Sequence, residues 1–464
     1  MKVLIIGAGE TGFYIASELA EDDFEVSVID INPQPLKTIK RNLNVAGILG
    51  NGTSLSVLER AGIQTTDLVI ASTDHDETNL ICCLLANHYN VKHKIAVTKT
   101  ESSTREDVVS NYIRSGISQV FNSTMATAQE IIDTASLASA AEVSAFGEKN
   151  ILLVGCRIKK GSPWENLYLK DIRQTQSENR FLIASIVRDG ESYIPSGQDQ
   201  ILAGDYVYIL IPRQIANALN EILKVRISSN RKAVIVGGNL VAEKVALGLS
   251  KSHYDVTMIC RHEYNVDRLN KLFAGRRHVT IKQGNFESVR EQIKAEVPVS
   301  SLFIAVSEDD HMNVFAGMIA HYLGASKVIA LINKQDLIQC AKLVDIDVTI
   351  SPRLSTARQI KKMIRGREQS LNYTTISETN MEVMEMITSD NSKVLNKPIK
   401  ELKFPPNTLV GAIIKEDKKS IIPTGDTIIE SGDKIIMVTI PESVPKLRAM
   451  IEGQDKNISK GLSV

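Results

Sequence analysis

The sequence contains no apolar run that approaches the ~20 residues needed to cross a bilayer as a helix. Residues 1–7 read as a buried strand that runs into a glycine turn. This stretch is too short for the apolar core of a signal peptide. We therefore expect a soluble, cytoplasmic chain, and docking on a membrane protein remains open to it.

The chain also lacks an excess of either charge. Lys plus Arg number 54, and Asp plus Glu also number 54, in 464 residues. Binding to nucleic acid favours a basic excess, so this balance argues against a polyanionic partner. Length alone indicates several domains, because one core rarely serves a chain of this size.

Cysteine is sparse, and its spacing excludes two kinds of framework. The five residues are odd in number and contain no C-x-x-C pair, which argues against a disulfide scaffold and a zinc knuckle. We expect free thiols in a reducing cytoplasm. The residues are Cys82, Cys83, Cys156, Cys260 and Cys340.

No common catalytic motif is visible: there is no G-x-S-x-G, no Walker lysine motif and no H-E-x-x-H. A dehydrogenase needs a positioned acid or base beside the nicotinamide. His75 and His311 lie near predicted strand ends, but no carboxylate at a suggestive spacing accompanies both. We expect no catalysis and no bound metal, and keep an NAD-dependent oxidoreductase as the weaker alternative.

The sequence does contain the same plan twice. The first copy opens with G-A-G-E-T-G at Gly7, and the second opens with G-G-N-L-V-A at Gly237. Later landmarks keep nearly the same offset: D-E-T-N recurs as D-H-M-N, and P-S-G recurs as P-T-G. The sequence therefore predicts a tandem duplication. Duplicated nucleotide-binding units without catalytic residues favour a regulator over an enzyme.

Each copy begins with short Val/Ile/Leu runs that alternate with helical stretches. Continuous apolar strands separated by helices are typical of a parallel sheet covered on both faces. Their spacing predicts a six-stranded, doubly wound, Rossmann-like fold. In the first copy the predicted strands are residues 3–6, 26–29, 45–49, 68–71, 95–98 and 119–121.

The pattern then changes within each copy. The Ala/Ser-rich residues 136–149 predict a helix that leads into a linker. Beyond them, Asp-Gly and Gly-Asp pairs between β-rich runs indicate antiparallel hairpins in a small α+β domain. Polar residues 226–232 predict a hinge, and the tail after Ile451 is predicted to be disordered.

The predicted fold class is α/β, with two doubly wound parallel sheets, each followed by a small α+β domain. The predicted domains are residues 1–135, 150–226, 232–366 and 380–452.

The first glycine turn follows a strand and opens a helix, as a dinucleotide-binding turn requires. Gly7 permits the tight turn, Gly9 lets a diphosphate approach the backbone, and Gly12 permits close helix–strand packing. Free N–H groups and the positive helix end would face the phosphates. Asp30 ends the second strand, where its carboxylate can accept hydrogen bonds from both ribose hydroxyls. The same carboxylate would repel a 2′-phosphate. The site therefore favours NAD-type or plain adenosine ligands over NADP.

Polar residues at other strand ends extend this site, because ligands bind at the carboxyl ends of parallel strands. A role as simple helix-start residues stays open for Asp76 and Asn79. The candidate adenosine contacts are Asn51, Thr53, Thr73, Asp74 and Asn79.

The second copy keeps only part of this site. Gly237 and Gly238 remain, but Asn239 replaces the second glycine of the motif, and Cys260 stands where Asp30 stood. Glu308 is a candidate substitute carboxylate. The sequence leaves open whether this copy binds a ligand or retains only the scaffold.

These motifs, in this order and duplicated, resemble the regulator-of-potassium-conductance (RCK, or KTN) domain family. The likeness rests on the first glycine turn, Asp30, residues 50–53 and residues 74–79. The small domain contributes residues 181–205, with the pattern recurring at 408–433. The resemblance covers the chain from its first residue to about residue 452.

The resemblance implies a regulatory subunit of a potassium uptake system. Such a subunit would bind NAD(H) and ATP or ADP in the first lobe and form a ring of four chains. The ring would lie at the inner face of the membrane, under a TrkH- or TrkG-like potassium-translocating subunit gated by nucleotide occupancy. A regulator of a cation/proton antiporter is the alternative within the family. By position, the implied contacts are Gly7, Ala8, Gly9, Glu10, Thr11, Asp30, Thr73 and Asp74.

One position departs from the family pattern. The family often has an arginine at the end of the fifth strand, directed at phosphate, and Val97 occupies that place. Lys99, two residues on and on the same strand face, is the candidate replacement. Lysine is a point charge and lacks the bidentate fork of arginine.

Overall fold

The structure is a computed structural model. It describes residues 1–20, 24–174, 180–224, 231–369, 373–376, 379 and 381–453. The chain divides into two compact units, and each unit takes one segment from each copy. One unit, here called the Rossmann unit, contains Met1–Ile132 and Ser228–Met363. The other, the small-domain unit, contains Asp133–Ile227 and Ile364–Val464.

The first copy begins with a doubly wound parallel sheet in the strand order β3-β2-β1-β4-β5-β6. This confirms the predicted six-stranded fold, and the order reverses between β1 and β4, where such sheets bind ligands. The strands are β1 Lys2–Ile6, β2 Glu25–Asp30, β3 Ala46–Leu49, β4 Leu68–Ala71, β5 His93–Thr98 and β6 Gln119–Asn122. The helices are α1 Glu10–Ala20, α2 Pro33–Asn42, α3 Leu55–Arg60, α4 Asp76–His88, α5 Glu106–Arg114 and α6 Ser123–Ala135.

The central strands of this sheet are apolar along their whole length because helices cover both faces. Leu4, Ile5 and Ile6 of β1 and Ile70 of β4 are fully or almost fully buried. Burial of this kind contributes about 1.5–3 kcal/mol for each large aliphatic side chain. It fixes the strand ends that carry the polar loops.

A small antiparallel sheet follows in the order β10-β9-β11-β8-β7. Asp189 and Gly190, both with positive φ, form the two-residue hairpin turn between β9 and β10, as the Asp-Gly pair predicted. The elements are β7 Glu142–Phe146, β8 Ile151–Arg157, α7 Leu169–Gln174, β9 Leu182–Arg188, β10 Glu191–Tyr193, β11 Tyr206–Pro212 and α8 Ala218–Ile222.

The helix predicted within residues 136–149 is wrong, because α6 ends at Ala135 and none of these residues is helical. Residues 142–146 form β7, which pairs antiparallel with β8 along its whole length. The Ala/Ser content favoured a helix, but residues 142–146 instead pair with β8 and form the edge strand of the sheet. Tertiary pairing outweighs local propensity here.

The second copy repeats the doubly wound sheet in the order β14-β13-β12-β15-β16-β17, all parallel. Its strands are β12 Lys232–Val236, β13 Asp255–Cys260, β14 Val279–Gln283, β15 Leu302–Ala305, β16 Val328–Leu331 and β17 Val348–Ile350. Its helices are α9 Leu240–Lys251, α10 Glu263–Leu272, α11 Val289–Lys294, α12 Asp310–Tyr322, α13 Gln335–Leu343 and α14 Pro352–Gln369.

The second small sheet has the order β18-β19-β22-β20-β21, which matches the first strand for strand. Even a register shift recurs, between β9 and β11 in one copy and β20 and β22 in the other. The elements are β18 Tyr373–Thr375, β19 Glu382–Ile387, β20 Leu409–Ile414, β21 Ser420–Ile421, β22 Lys434–Thr439 and α15 Val444–Ile451. This confirms the tandem duplication.

The two small sheets share one apolar cluster within the small-domain unit. Phe146, Tyr208 and Leu210 of the first copy are buried together with Val383 and Ile414 of the second. Because the copies complete each other's core, each small domain buries more apolar area than it would alone.

The predicted hinge at 226–232 lies outside the described residues except for Arg231 and Lys232. The predicted disordered tail lies outside them from residue 454 onward. Among the described residues, no helix combines the length and the apolar content needed to span a membrane.

Candidate nucleotide-binding site

The first glycine turn joins β1 to α1 at the carboxyl edge of the first sheet. Gly7 has φ +108°, and a Cβ there would lie 2.9 Å from the Thr73 backbone nitrogen. A Cβ at Gly12 would lie 1.8 Å from the Gly7 carbonyl oxygen. A Cβ at Gly9 would have no described heavy atom within 4 Å. The first and third glycines are therefore required by packing, and the second leaves space for a ligand.

Asp30, the last residue of β2, is bonded to this turn. Its Oδ2 accepts the Ala8 N–H at 2.6 Å, and its Oδ1 accepts the Asn32 N–H at 2.7 Å. Each carboxylate oxygen keeps a further lone pair for a hydroxyl donor. The structure thus places a fixed, half-buried carboxylate beside the glycine turn, as the sequence predicted.

The loop after β3 reaches the same edge. A Cβ at Gly52 would lie 2.3 Å from Ile6 Cγ2, so the loop packs directly on the end of β1. Asn51 Oδ1 accepts the Thr53 N–H and the Thr53 hydroxyl, both at 2.9 Å. This short turn holds Asn51 and Thr53 at the rim of the predicted site.

Asn79 on α4 is buried, and its side chain is fully bonded within the protein. Its Oδ1 accepts the Thr73 N–H at 2.8 Å and the Thr73 hydroxyl at 2.6 Å. Its Nδ2 donates to the carbonyls of Thr73 at 3.0 Å and Val97 at 2.8 Å. These four bonds use all that the amide can form. Asn79 therefore positions the loop after β4, and its amide has no hydrogen-bonding capacity left for a ligand.

Asp76 supports the neighbouring loop in a similar way. Its carboxylate accepts the Lys99 N–H at 3.0 Å and both the N–H and hydroxyl of Thr100, at 3.0 and 2.7 Å. The Lys99 ammonium lies 3.0 Å from the Asp74 carboxylate. Since both side chains are exposed, this pair contributes little to stability. Lys99 and Asp74 lie together at the strand ends, where the sequence predicted them.

The second copy repeats the supporting network. Asn313 bonds the N–H, hydroxyl and carbonyl of Ser307 and the carbonyl of Leu331, at 2.7–3.0 Å. Asp310 accepts the N–H groups of Asn333 and Lys334, both at 2.8 Å. The Asn and Asp of this network therefore belong to the scaffold that both copies share. They do not distinguish a copy that binds from one that does not.

The glycine turn of the second copy has different chemistry. Asn239 caps α9: its Oδ1 accepts the Ala242 N–H at 3.0 Å, and its Nδ2 donates to the Val306 carbonyl at 2.7 Å. The Cys260 thiol donates to the Gly237 carbonyl at 3.4 Å. Burial raises the pKa of this thiol to about 11. A neutral thiol therefore occupies the place of the Asp30 carboxylate.

Side chains of α10 also occupy the space beside this turn. A Cβ at Gly238 would lie 2.7 Å from Asn265 Cβ. Arg268 donates to the Gly238 carbonyl at 2.7 Å and pairs with the buried Glu243 carboxylate. The predicted substitute carboxylate, Glu308, is exposed at the rim.

The sequence analysis did not predict that side chains of α10 fill the space beside Gly238, although the difference is visible when α10 is aligned with α2. Asn265 and Arg268 stand where the first copy has Pro35 and Thr38.

A histidine–carboxylate pair occurs at the opposite edge of the second sheet. His278 Nδ1 lies 2.7 Å from Asp255 Oδ1, at the start of β13, whereas the glycine turn follows the end of β12. This pair cannot act on a ligand bound at the carboxyl edge. Among the described residues, no group of three or more His, Cys, Asp or Glu side chains is arranged to hold a metal ion.

Two doubly wound sheets, each followed by a small antiparallel sheet, define an RCK-type tandem protein. The RCK domain of GsuK superposes with a TM-score of 0.61 at 16% identity, covering 98% of this chain and 95% of that one. The GsuK channel superposes with a TM-score of 0.62 at 17% identity, covering 97% of this chain and 78% of that one. At such identities the likeness concerns the fold.

The chain belongs to the TrkA-N domain family, which matches residues 3–123 and 233–352, and its TrkA-C domains match residues 153–224 and 383–452. It is 26% identical to the Trk system potassium uptake protein TrkA homolog 1 of Methanosarcina mazei, over 96% of this chain and 99% of that protein. It is 28% identical to the TrkA protein of Halomonas elongata, over 95% of this chain and 96% of that protein. These matches confirm the RCK resemblance.

Proposed function

We propose that this chain is the nucleotide-sensing regulatory subunit of a potassium uptake system. The matched relatives are named as Trk potassium uptake proteins, and the similarity extends over almost their whole length. The chain would act at the inner face of the membrane, on a TrkH- or TrkG-like subunit that carries the ion.

The proposed sensor is the glycine turn of the first copy, and the Asp30–Ala8 bond is the observation that carries it. It fixes a carboxylate where adenosine ribose hydroxyls would lie, beside N–H groups suited to phosphate. The ligands we propose are NAD(H), ATP and ADP. The GsuK channel, which shares the fold, has been solved bound to NAD.

Nucleotide binding would act by shifting a conformational equilibrium. A ligand changes such an equilibrium only through different affinities for its two states. ATP, ADP and NADH differ in the phosphate region, so we propose that this region distinguishes them. The coupling is reciprocal: a state favoured by the membrane subunit would also bind its preferred nucleotide more tightly.

We propose that the chain assembles with copies of itself into a ring of four. Helices α4 and α12 occupy equivalent places in the two copies, and each carries exposed apolar side chains. Ile81 and Leu84 on α4 correspond to Phe315 and Met318 on α12. Two similar faces on one chain suit a closed ring, because each can contact the next chain.

No catalytic step forms part of this proposal. The carboxyl edge of the first sheet presents carboxylates, hydroxyls and an amine, and its nearest histidine, His75, is exposed at the start of α4. A proton-transferring group needs a partner that orients it, and the described contacts of His75 involve only its backbone.

The test is ion flux through the assembled system. The full chain would be co-expressed with the TrkH- or TrkG-like subunit of the same cell, and the complex placed in liposomes. Rubidium uptake would be measured with NADH, ATP or ADP, beside the Asp30→Ala variant. We expect at least two nucleotides to change the flux differently, and Asp30→Ala to remove that difference.

Two results would contradict the proposal. One is copurification with a cation/proton antiporter and no association with the potassium subunit. The other is a flux that responds to nucleotides equally in the wild type and the Asp30→Ala variant. Turnover of NADH with a small carbonyl compound would instead support an oxidoreductase.

A further inference from the structure

The second copy places an arginine at the glycine turn of the first. Arg353, near the start of α14, forms an ion pair with Glu10, the first residue of α1. Glu10 directly follows Gly9, so its backbone N–H is one of those predicted to face phosphate. The guanidinium therefore lies within the length of a glutamate side chain of the proposed phosphate position.

A second pair shows how the two helices run. Two turns further along both helices, the Lys361 ammonium lies 3.1 Å from the Glu18 carboxylate. Since both pairs advance by eight residues, α1 and α14 run side by side in the same direction. Their amino-terminal ends, with their partial positive charges, therefore lie together at the glycine turn.

Arg353 adds a positive charge at the amino-terminal ends of α1 and α14, which already carry partial positive charges. The first turn of a helix favours acidic residues and disfavours basic ones. The side chain is 31% exposed, and burial lowers the pKa of its guanidinium. Its partner Glu10 is 59% exposed, so water weakens the pair. Two helix ends and an arginine thus converge at the glycine turn, where the described carboxylates are the solvated Glu10 and the half-buried Asp30, which is already bonded to the Ala8 N–H.

The reciprocal position in the other half of the Rossmann unit is neutral. By the repeat, Leu240 and Thr124 correspond to Glu10 and Arg353. Ile132 and Gly248 likewise correspond to Lys361 and Glu18. These two residues are in contact, because a Cβ added to Gly248 would lie 2.3 Å from Ile132 Cδ1. An arginine at a glycine turn therefore occurs only beside the copy that keeps the ribose carboxylate among these equivalent positions, whereas the contact beside the copy that has Cys260 carries its ion pair further along α9, between Lys244 and Glu101.

We propose that Arg353, contributed by the second copy, binds the phosphate groups of a nucleotide held by the first copy and exchanges its Glu10 partner for them. This inference rests on the proposed nucleotide binding by the first copy. Arg353 would supply the bidentate cation that the site lacks because Val97 occupies the place of the family's arginine. The fork of an arginine matches two phosphate oxygens. The exchange also makes the contact between the copies depend on ligand charge.

The ligand class follows from the position. A nucleoside has no group for Arg353, whereas ADP, ATP and a dinucleotide place a diphosphate at the two helix ends. We therefore expect Arg353 to contribute to the binding of diphosphates and triphosphates, and not to that of adenosine.

Calorimetric titration of the full chain tests this with adenosine, ADP, ATP and NADH. Arg353→Gln should weaken ADP and ATP binding by about 10- to 100-fold, the range for a lost charge-assisted hydrogen bond. Adenosine binding should change less than about threefold. Lys361→Gln is the matched control, because it removes a cation from the same helix pair away from the glycine turn. It should leave ADP affinity within about threefold.

Two further variants keep the test decisive. Arg353→Lys retains charge and fold, and its ADP affinity should lie between those of the wild type and Arg353→Gln. Glu10→Gln should tighten ADP binding, and by more in the wild type than in the Arg353→Gln background, because Glu10 competes for Arg353.

Equal ADP affinities for Arg353→Gln and Lys361→Gln would overturn the inference and leave the nucleotide site intact. Absence of nucleotide binding by the wild type would instead overturn the proposed function on which the inference rests.

Discussion

The Asp30 carboxylate accepts the Ala8 N–H at 2.6 Å, so the end of β2 is bonded directly to the glycine turn after β1. This bond couples the two parts of the proposed site. The carboxylate that would hold the ribose also fixes the backbone that would hold the phosphates. In the second copy the corresponding contact runs from the Cys260 thiol to the Gly237 carbonyl, with no charge.

Asp30→Asn should weaken nucleotide binding with little change in the fold. The amide is nearly isosteric, but it loses the charge and one of the two acceptor oxygens. Because hydrogen bonds to charged groups contribute about 1.5–3 kcal/mol, NADH affinity should fall at least tenfold. Thermal-shift titration measures this, since a ligand at 100 times its Kd stabilises by about 2.7 kcal/mol. Asp67→Asn, at the other end of the sheet, is the control. An NADH titration with the same apparent affinity in Asp30→Asn as in the wild type would contradict the assignment.

Asn79→Ala and Asn313→Ala should destabilise the chain by similar amounts. Each removes a buried amide that makes four hydrogen bonds and leaves donors and acceptors unpaired. The expected loss is about 2–4 kcal/mol, measured as a shift of the urea midpoint. Only Asn79→Ala should also weaken ADP binding, because the loop it holds belongs to the proposed site. Equal effects of the two variants on ADP affinity would count against the first copy as the sensor.

Cys260→Asp alone should not create a second nucleotide site. Asn265 and Arg268 would still occupy the space beside Gly238, and Arg268 would pair with the new carboxylate. Replacing them with their first-copy counterparts, as Asn265→Pro and Arg268→Thr, should open that space. Calorimetric stoichiometry separates the cases: the single variant should bind as the wild type does, and the triple variant should gain a weak second site. A second site in Cys260→Asp alone would show that the α10 side chains do not block the turn.

The contact between the two small domains should weaken in acid. Hydrogen bonds and charge interactions with Lys418 and then Lys434 lower the pKa of Glu148. A carboxylate with a lowered folded-state pKa stabilises the fold above its unfolded pKa, about 4.3 for glutamate, and loses this as pH falls through the folded value. The Tm difference between wild type and Glu148→Gln should therefore be largest near neutral pH and shrink below about pH 4. A constant difference across that range would exclude a role for this charge.

Much of the fold could be predicted because its signals are local. Continuous apolar strands, glycine turns and the repeated order of landmarks gave the two doubly wound sheets, and Asp30 followed from its place at the end of β2. Asn79 was placed correctly, but its side chain proved to hold Thr73. That distinction depends on the carbonyl of Val97, a residue 18 positions away.

The rest depends on packing between distant segments. The edge strand β7 forms because β8 pairs with it, and the Ala-containing sequence of β7 does not by itself predict a strand. Arg353 meets Glu10 across 343 positions, and nothing near either residue indicates the other. Arg268 occupies the space at the second glycine turn by donating to the Gly238 carbonyl. Aligning the two copies shows that this residue differs, but it does not show which group the side chain contacts.

The number of nucleotides bound per chain tests the proposed sensor most directly. Calorimetric titration of the purified full chain with ADP and NADH, repeated with Asp30→Ala and Cys260→Ala, would measure it. We expect one site per chain for each ligand, lost in Asp30→Ala and retained in Cys260→Ala. Two equivalent sites per chain, or one that survives Asp30→Ala, would contradict the proposed sensor.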